Sequence, residues 1–490
     1  MTIALPRYDL RIGGRAVAPS RGGYFPSENP YTGEVWCEVA RGGAADIDRA
    51  VSAAQEAQRT WSAMLPAERG RAMIRLADLT EQRSAFLGEL DCRDNGKPIG
   101  ELLHQGRYVA GWLRYFAGLA DKLQGAVIPP ERPGFFSFTR YEPLGVIGMI
   151  TPWNSPLLLL ANKLAPALAA GNAAVVKPSE FTSAATVEFA ALFDEAGLPP
   201  GIVNIVTGFG AEAGAALVEH PGIAKIAFTG SEMGGQKIYE SAARGLKYVS
   251  LELGGKSPNV VFADANLEAA AMGVLGGIFS AAGQSCIAGS RLLVQRSVHD
   301  RLVARLVEVA RTARLGDPMD PLTHIGPIAT PPQFEKVLRY IEIAKAEGAI
   351  CATGGRRSPA GKYFVEPTIF TGVHNHMRIA REEVFGPILS VIPFDDEEEA
   401  YTIANDTDYG LAAGVWTSDM ARAIRASERI RAGKVWINTY RMGGYSLPFG
   451  GFKRSGLGRE GGLDAMKDFV GLKTVVMGLD PNSANPFAMR

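Results

Sequence analysis

Gly283-Gln284-Ser285-Cys286 offers a thiol, the best nucleophile in a chain without a metal-ligand pattern, provided its thiolate is stabilised. Thr151-Pro152-Trp153-Asn154-Ser155-Pro156 sets an amide between prolines directly after an apolar run, and a rigid amide N–H donates well to an oxyanion. Leu251-Glu252-Leu253-Gly254-Gly255-Lys256 ends another apolar run in a carboxylate beside glycines, which let substrate or cofactor approach. A buried structural cysteine is the competing reading of Cys286. Cys37, Cys92 and Cys351 share that reading, and nothing lifts them above it. No histidine can be assigned as a hydrolase partner.

Other loops suit a ligand rather than a reaction. Phe228-Thr229-Gly230-Ser231 supplies a glycine turn and a serine at a helix start, a natural place for phosphate. Lys177-Pro178-Ser179-Glu180 puts a lysine and a carboxylate at one edge. The lysine reaches hydroxyl or phosphate groups; the carboxylate accepts from a ribose diol and repels a 2′-phosphate. A surface ion pair fits Lys177 and Glu180 equally. Gly208-Phe209-Gly210-Ala211-Glu212-Ala213-Gly214 has GxGxxxG spacing, one residue longer than the usual dinucleotide fingerprint and weak alone.

The elements that must hold these loops follow from the apolar pattern. Strand candidates at 145–151, 173–177, 201–207, 223–228 and 247–251 alternate with helical segments at 156–170, 183–196, 210–219 and 231–243. Strand, helix, strand with short connections predicts a parallel sheet covered by helices, with ligands at the carboxyl ends of its strands. Residues 257 to about 448 repeat the texture and suit a second α/β domain. Residues 8–40 read as short strands, a helical stretch opens at Asp46 and breaks at Pro66, and another runs from about 99 to 122. Its aromatics, among them Tyr108, Trp112, Tyr115 and Phe116, read as core. Residues 124–142 and the run before the polar tail read as extended.

Composition excludes several classes. The 490 residues carry 51 basic and 51 acidic side chains and are 47% hydrophobic, which fits a globular chain and argues against bulk binding to nucleic acid or anionic membrane. Four scattered cysteines and six histidines, with no CxxC or HExxH, argue against a disulfide framework and against a metal site. The first residues lack a basic-then-apolar signal pattern, and no apolar run approaches a membrane span; the expectation is a cytoplasmic enzyme.

Taken in order, the blocks Pro152-Trp153-Asn154, Lys177-Pro178-Ser179-Glu180, Phe228-Thr229-Gly230-Ser231, Glu252-Leu253-Gly254-Gly255-Lys256, Gly283-Gln284-Ser285-Cys286, Glu382-Glu383-Val384-Phe385-Gly386-Pro387 and Pro448-Phe449-Gly450-Gly451-Phe452-Lys453 resemble the NAD(P)-dependent aldehyde dehydrogenase superfamily over essentially the full length. The resemblance implies an α/β fold: a Rossmann-type cofactor domain (1–123 with 143–254), an α/β catalytic domain (255–447), and a β bridging and oligomerisation element (124–142 with 448–490). It implies Cys286 as nucleophile, Asn154 and the Cys286 N–H as oxyanion hole, and Glu252 as general base. Lys163 and Glu460 fall where the family carries a buried pair supporting the catalytic loop. Thr151, Pro152, Trp153, Lys177, Ser179, Glu180, Gly210, Phe228, Gly230, Ser231, Leu253, Gly254, Glu383 and Phe385 fall on the cofactor side, with Glu383 at the nicotinamide ribose and Phe385 beside the nicotinamide. The cofactor expected is NAD, because Glu180 disfavours a 2′-phosphate. The expected reaction takes an aldehyde to its acid, in a homodimer or homotetramer. A non-redox thioesterase or esterase, or a catalytically silent structural member, is the alternative.

The substrate side departs from the family. Ser155 stands where many members carry an aromatic residue, and Asn162 where many carry tryptophan. Both changes predict a wider or more polar tunnel, unless Tyr115, Trp112 or Phe449 compensates. Arg441 could hold a substrate carboxylate or make a structural salt bridge. The substrate expected is a bulky, polar or aromatic aldehyde, or a semialdehyde acid.

Overall fold

In the computed structural model, which describes residues 5–479 and 487, the strand–helix alternation after residue 143 forms the centre of an eight-stranded sheet. Its order is Gly456–Leu457, Tyr248–Glu252, Lys225–Thr229, Val146–Ile150, Ala173–Lys177, Val203–Ile205, Leu10–Ile12, Arg15–Val17. The run from Tyr248–Glu252 to Val203–Ile205 is parallel. Helices cover both faces of a parallel sheet, so its strands read as continuous apolar runs; Ala173–Lys177 and Lys225–Thr229 are buried throughout. From Val146–Ile150 the chain builds outward on one side through Ala173–Lys177 and Val203–Ile205, then lays Lys225–Thr229 on the other side. That reversal opens a crevice beyond the carboxyl ends of Val146–Ile150 and Lys225–Thr229, where open α/β sheets bind ligands.

The expected elements shift by a residue or two, with informative exceptions. The run 201–207 shortens to Val203–Ile205, because Gly201 (φ +87°) and Gly208 (φ +142°) turn the chain at either side. The helix expected at 210–219 begins as a wide turn, Gly210–Gly214, before Ala215–Glu219. Pro66 starts a helix, Pro66–Gln82, where its missing N–H costs nothing. The helix Ser84–Asn95 has no counterpart in the sequence reading: it buries Asp91, Asp94 and Asn95 alongside Leu87 and Leu90, so no single apolar stripe marks it.

A second sheet follows in the order Ile350–Thr353, Thr368–Thr371, Ile388–Phe394, Arg291–Gln295, Pro258–Val261, Ala412–Trp416, Lys434–Ile437, parallel except at the Ile350 edge. A separate three-stranded sheet joins Val127–Ile128, Phe135–Pro143 and Val470–Gly478. The segment 448–467, assigned with that element from the sequence, lies elsewhere. Phe452–Lys453 pairs with Tyr409–Gly410 and Gly456–Leu457 pairs with Tyr248–Glu252, so it stitches the second α/β unit to the edge of the first sheet. The polar tail after 479 lies outside the described residues apart from Phe487. Among the described residues no helix is long and apolar enough to cross a membrane.

Candidate active site

The helix Leu267–Phe279, capped by Asn266, delivers the chain into a turn at Ser280–Gly283. Ala281, Ala282 and Gly283 all hold positive φ (53°, 53° and 72°), a conformation that L side chains adopt only when surroundings impose it. Those surroundings are visible. The Ala281 N–H donates to Glu101 Oε1 (3.0 Å), and Gln284 Nε2 donates to Ala281 O (3.1 Å) and Pro327 O (3.3 Å). Gln284 Oε1 accepts from the Ala329 N–H at 2.8 Å. A Cβ at Gly283 would stand 2.1 Å from Gly386 O, so only glycine fits. The strained turn presents Cys286 to a cleft that it shares with Asn154, Leu253 and Glu383.

The strand Val146–Ile150 ends at the opposite lip, where Pro152, Trp153 and Asn154 line the same cleft as Cys286. Asn154 Nδ2 donates to Gln284 O at 2.9 Å. A primary amide has two N–H donors. One fixes Asn154 to the nucleophile loop, and the second is available to a ligand oxygen.

Glu252 ends the strand Tyr248–Glu252 and is buried, with Oε2 lacking a hydrogen-bond partner. Burial, reinforced by the Glu460 carboxylate, raises its pKa well above the ordinary carboxylate value, while Lys163 opposes the rise. Lys163 Nζ donates to Glu460 Oε1 and to Thr229 Oγ1, and Asn162 Nδ2 donates to Glu460 Oε2 at 3.2 Å. Asn162 therefore sits on the buried Glu460 carboxylate. Burial pushes the Cys286 thiol up to about 12, with Glu383 and Glu252 adding to the rise and Arg441 opposing it.

The remaining cleft wall suits a dinucleotide. Thr229, Gly230 and Ser231 lead into the helix Glu232–Arg244, and Ser231 Oγ accepts from the Gly234 N–H at 3.2 Å. The other first-turn N–H groups of a helix face an anion well. Leu159, Leu253, Trp153 and Phe385 give apolar walls, with the Trp153 and Phe385 rings edge-to-face at 5.3 Å. Glu383 Oε1 accepts from the Gly255 N–H at 2.9 Å, and a Cβ at Gly254 would stand 2.5 Å from its other oxygen. The carboxylate thus borders the cleft with capacity for a diol. Lys177 Nζ donates to Glu180 Oε2 at 3.0 Å, next to the neighbouring depression that Glu180 lines with Phe181. Thr151 Oγ1 is buried and unpartnered, and Ser179 Oγ accepts from the Phe181 N–H at 3.3 Å. This donor set fits a dinucleotide: a helix N-terminus for the pyrophosphate, carboxylates for ribose hydroxyls and apolar walls for the rings.

Residues 17–475 match the family model described as "Aldehyde dehydrogenase family". The chain belongs to the aldehyde dehydrogenase family. It is 45% identical to retinal dehydrogenase 2 of Homo sapiens over 93% of this chain and 89% of that one. It is also 45% identical to the (Z)-2-((N-methylformamido)methylene)-5-hydroxybutyrolactone dehydrogenase of Acinetobacter baylyi, over 95% and 96%. A Bacillus cereus aldehyde dehydrogenase solved as its NAD+ complex superposes with a TM-score of 0.95 at 43% identity, covering 97% of each chain.

Of the residues placed on the cofactor side by sequence, Thr151, Lys177, Ser179, Glu180, Gly210 and Phe228 lie outside the cleft wall of this aldehyde dehydrogenase, with Glu180 lining the neighbouring depression. The Phe228 ring lies under the helix start, where a Cβ at Gly230 would meet it at 2.4 Å. Gly210 opens the wide turn whose Glu212 pairs with Arg41. Conversely, Gln333 and Lys336 from the helix Pro331–Ala346 line the cleft without a motif to announce them. Gln333 Nε2 donates to Val384 O (2.7 Å) and Phe385 O (2.9 Å), holding Phe385 at its positive φ of 61°. On the substrate side, Ser155 Oγ accepts from Lys97 Nζ at 2.6 Å. Tyr115 packs 6.3 Å from Tyr445, between ring centroids, and Phe449 exchanges backbone hydrogen bonds with Glu460 (2.6 and 2.7 Å). Arg441 holds φ +64°.

Proposed function

We propose that this aldehyde dehydrogenase oxidises an aldehyde to its carboxylic acid through a cysteine hemithioacetal and thioester, with NAD as cofactor. The observation that carries the reading is one cleft in which Cys286 and the Asn154 amide meet Trp153, Ser231, Glu383 and Phe385, with the buried Glu252 carboxylate within electrostatic reach of the thiol. Cys286 gives up its thiol proton to water and adds through Sγ to the aldehyde carbon, whose C=O π bond opens to an alkoxide. The free N–H of Asn154 and the backbone N–H of Cys286 hold the alkoxide. Bound NAD supplies the hydride acceptor on which collapse of that alkoxide depends. Glu252 then removes a proton from the water that hydrolyses the thioester. Ser155 in place of a ring, with Arg441 near the thiol, favours a bulky, polar or aromatic aldehyde or a semialdehyde acid.

NAD is favoured over NADP because the Lys177–Glu180 pair presents a carboxylate to the adenosine side. A panel of aldehydes read by nicotinamide absorbance is expected to give turnover with NAD. With NADP, kcat/KM should be lower by about tenfold or more, as like charges set together cost several kcal/mol. Equal efficiencies overturn the cofactor assignment. Ester hydrolysis without nicotinamide reduction on any aldehyde overturns the redox reading in favour of a thioesterase.

Asn154→Ala is expected to lower kcat about 10²–10³-fold, the usual effect of losing one oxyanion donor. The change should reach both kcat and kcat/KM, because the donor is stronger in the transition state than in the ground state. An unchanged kcat removes Asn154 from the oxyanion site.

A homodimer or homotetramer is the assembly proposed. The three-stranded sheet exposes Val127, Ile128, Phe135, Phe136, Leu472 and Val476, an apolar face and edge suited to further copies of the chain.

A further inference from the structure

We propose that Lys97 and Arg441 form a two-cation anchor for a carboxylate carried by the aldehyde, which makes an oxo acid the preferred substrate. The proposal deepens the aldehyde dehydrogenase reading above and rests on it.

Lys97 is 6% exposed, and its Nζ donates to Ser155 Oγ, which in turn donates to Asn154 O at 2.7 Å. The ammonium is therefore one side chain away from the oxyanion amide. Arg441 lies within electrostatic reach of both Lys97 and the Cys286 thiol. It follows Tyr440, whose hydroxyl donates to the carbonyl of Ile287, the residue after the nucleophile, at 3.0 Å. Arg441 Nη1 is buried and has no hydrogen-bond partner. Among the described residues, no carboxylate lies within salt-bridge distance of either cation.

Buried guanidinium groups elsewhere in the molecule show what a structural arginine looks like. Arg291 donates to the carbonyls of Lys256, Ile403 and Ala404, each at 2.9 Å. Arg69 donates to the carbonyls of Met64 and Ala169. An unmet donor on a buried cation is costly, so the fold satisfies both. Arg441 Nη1 lacks such a partner, as Arg11 Nε also does, and Arg441 is the one of the two that lies near the reacting thiol.

The same region is rich in donors that lack acceptors. Tyr108 Oη and Trp112 Nε1 are buried and unpartnered. A Cβ at Gly443, two residues beyond Arg441, would stand 3.0 Å from Tyr108 Oη, which ties that hydroxyl to the Arg441 loop. The Tyr108 ring lies tilted against Tyr445 at 4.7 Å between centroids, and Trp112 packs edge-to-face against Tyr445 at 6.0 Å. A carboxylate accepts about four hydrogen bonds and carries the missing charge. Nearby carboxylates leave the need unmet. Burial pushes Asp91 up to about 8, and Glu101 Oε1 accepts from the Ala281 N–H. Lys97 is drawn down to about 8 by burial, with Arg441 adding to the fall and Glu101 and Asp91 opposing it; a bound anion reverses that trend. A quaternary ammonium aldehyde meets repulsion at the same place.

The test compares 4-oxobutanoate and 6-oxohexanoate with butanal and hexanal in the full-length enzyme with NAD. The kcat/KM ratio of oxo acid to neutral aldehyde is expected to exceed about tenfold and to fall about ten- to hundredfold in Arg441→Met, chiefly through KM. Arg441→Lys should restore part of it, and Arg441→Glu should shift preference toward trimethylammonioacetaldehyde. Lys97→Gln, checked for fold by circular dichroism, should lower the ratio in the same direction. A wild-type preference for neutral aldehydes, or an Arg441→Met ratio within about twofold of wild type, overturns the anchor while leaving the dehydrogenase intact. Turnover of none of the aldehydes defeats the dehydrogenase reading instead. The anchor is then judged by succinate: a rise in Tm that Arg441→Met abolishes supports it, and no rise overturns it.

Discussion

Cys286→Ala is expected to keep the fold and bind NAD while losing aldehyde oxidation by about 10⁴-fold or more, the scale set by removing a covalent nucleophile. The strained loop does not depend on the sulfur. Gln284 ties it to Ala281, Pro327 and Ala329, and Glu101 holds the Ala281 N–H, all of which the substitution leaves in place. Thermal melting and quenching of Trp153 fluorescence by NAD should therefore match the parent. The resting thiol is protonated at neutral pH: burial brings it to about 12, with the Glu383 and Glu252 carboxylates adding to the rise and Arg441 opposing it. Its alkylation by iodoacetamide in the cofactor-free protein should rise with pH across the neutral range, since only the thiolate attacks. Cys37 and Cys92 are buried and Cys351 is half-buried outside the cleft, so Cys286→Ala should remove one labelled site and leave that of Cys351. Retention of substantial turnover in Cys286→Ala refutes the nucleophile assignment.

What the sequence made legible follows from how each element is buried. The parallel strands were readable because both faces are covered: Ala173–Lys177 was found at its observed limits. Ser84–Asn95 was not, because buried Asp91, Asp94 and Asn95 break the apolar periodicity from which helices are read. At the site, residues carried on loops between strands and helices stand beside glycine and proline punctuation, which singles out Asn154, Ser231 and Cys286. Gln333 and Lys336 sit on the ordinary amphipathic helix Pro331–Ala346, and only the packing of that helix against Val384 and Phe385 gives them a role. Phe228 lies in a cofactor-loop motif, yet its ring turns under Gly230, a direction that spacing does not encode. Asn162 stands where many family members carry tryptophan, which predicts a place in the tunnel wall; the helix Pro156–Ala169 turns it onto Glu460 instead. Lys97 carried no sequence signal, because its partner Ser155 is distant along the chain.

Glu252→Gln should separate the two halves of the reaction. The amide cannot take a proton from water, so thioester hydrolysis should slow by about 10²–10⁴-fold, the usual contribution of a positioned general base. Addition of Cys286 and the loss of hydride do not require that proton transfer. A rapid mix of variant, NAD and aldehyde should then show a burst of NADH, about one per site, followed by negligible steady production, with the acyl group recoverable on the protein. The pH profile supplies a second reading. Burial and Glu460 raise Glu252, so its carboxylate form, the base, gains population as pH climbs through that raised value and is lost below it. Steady-state kcat in the parent, where hydrolysis limits, should rise with pH along this limb and level off above it. In Glu252→Gln the limb disappears, and hydroxide alone should drive the residual rate. Asn162, Lys163 and Glu460 act on that limb from behind: Lys163→Met removes the cation that holds Glu252 down and should move the limb to higher pH. Full steady-state turnover in Glu252→Gln, with an unchanged pH profile, refutes the assignment of the base and leaves the thioester to be hydrolysed by some other group in the cleft.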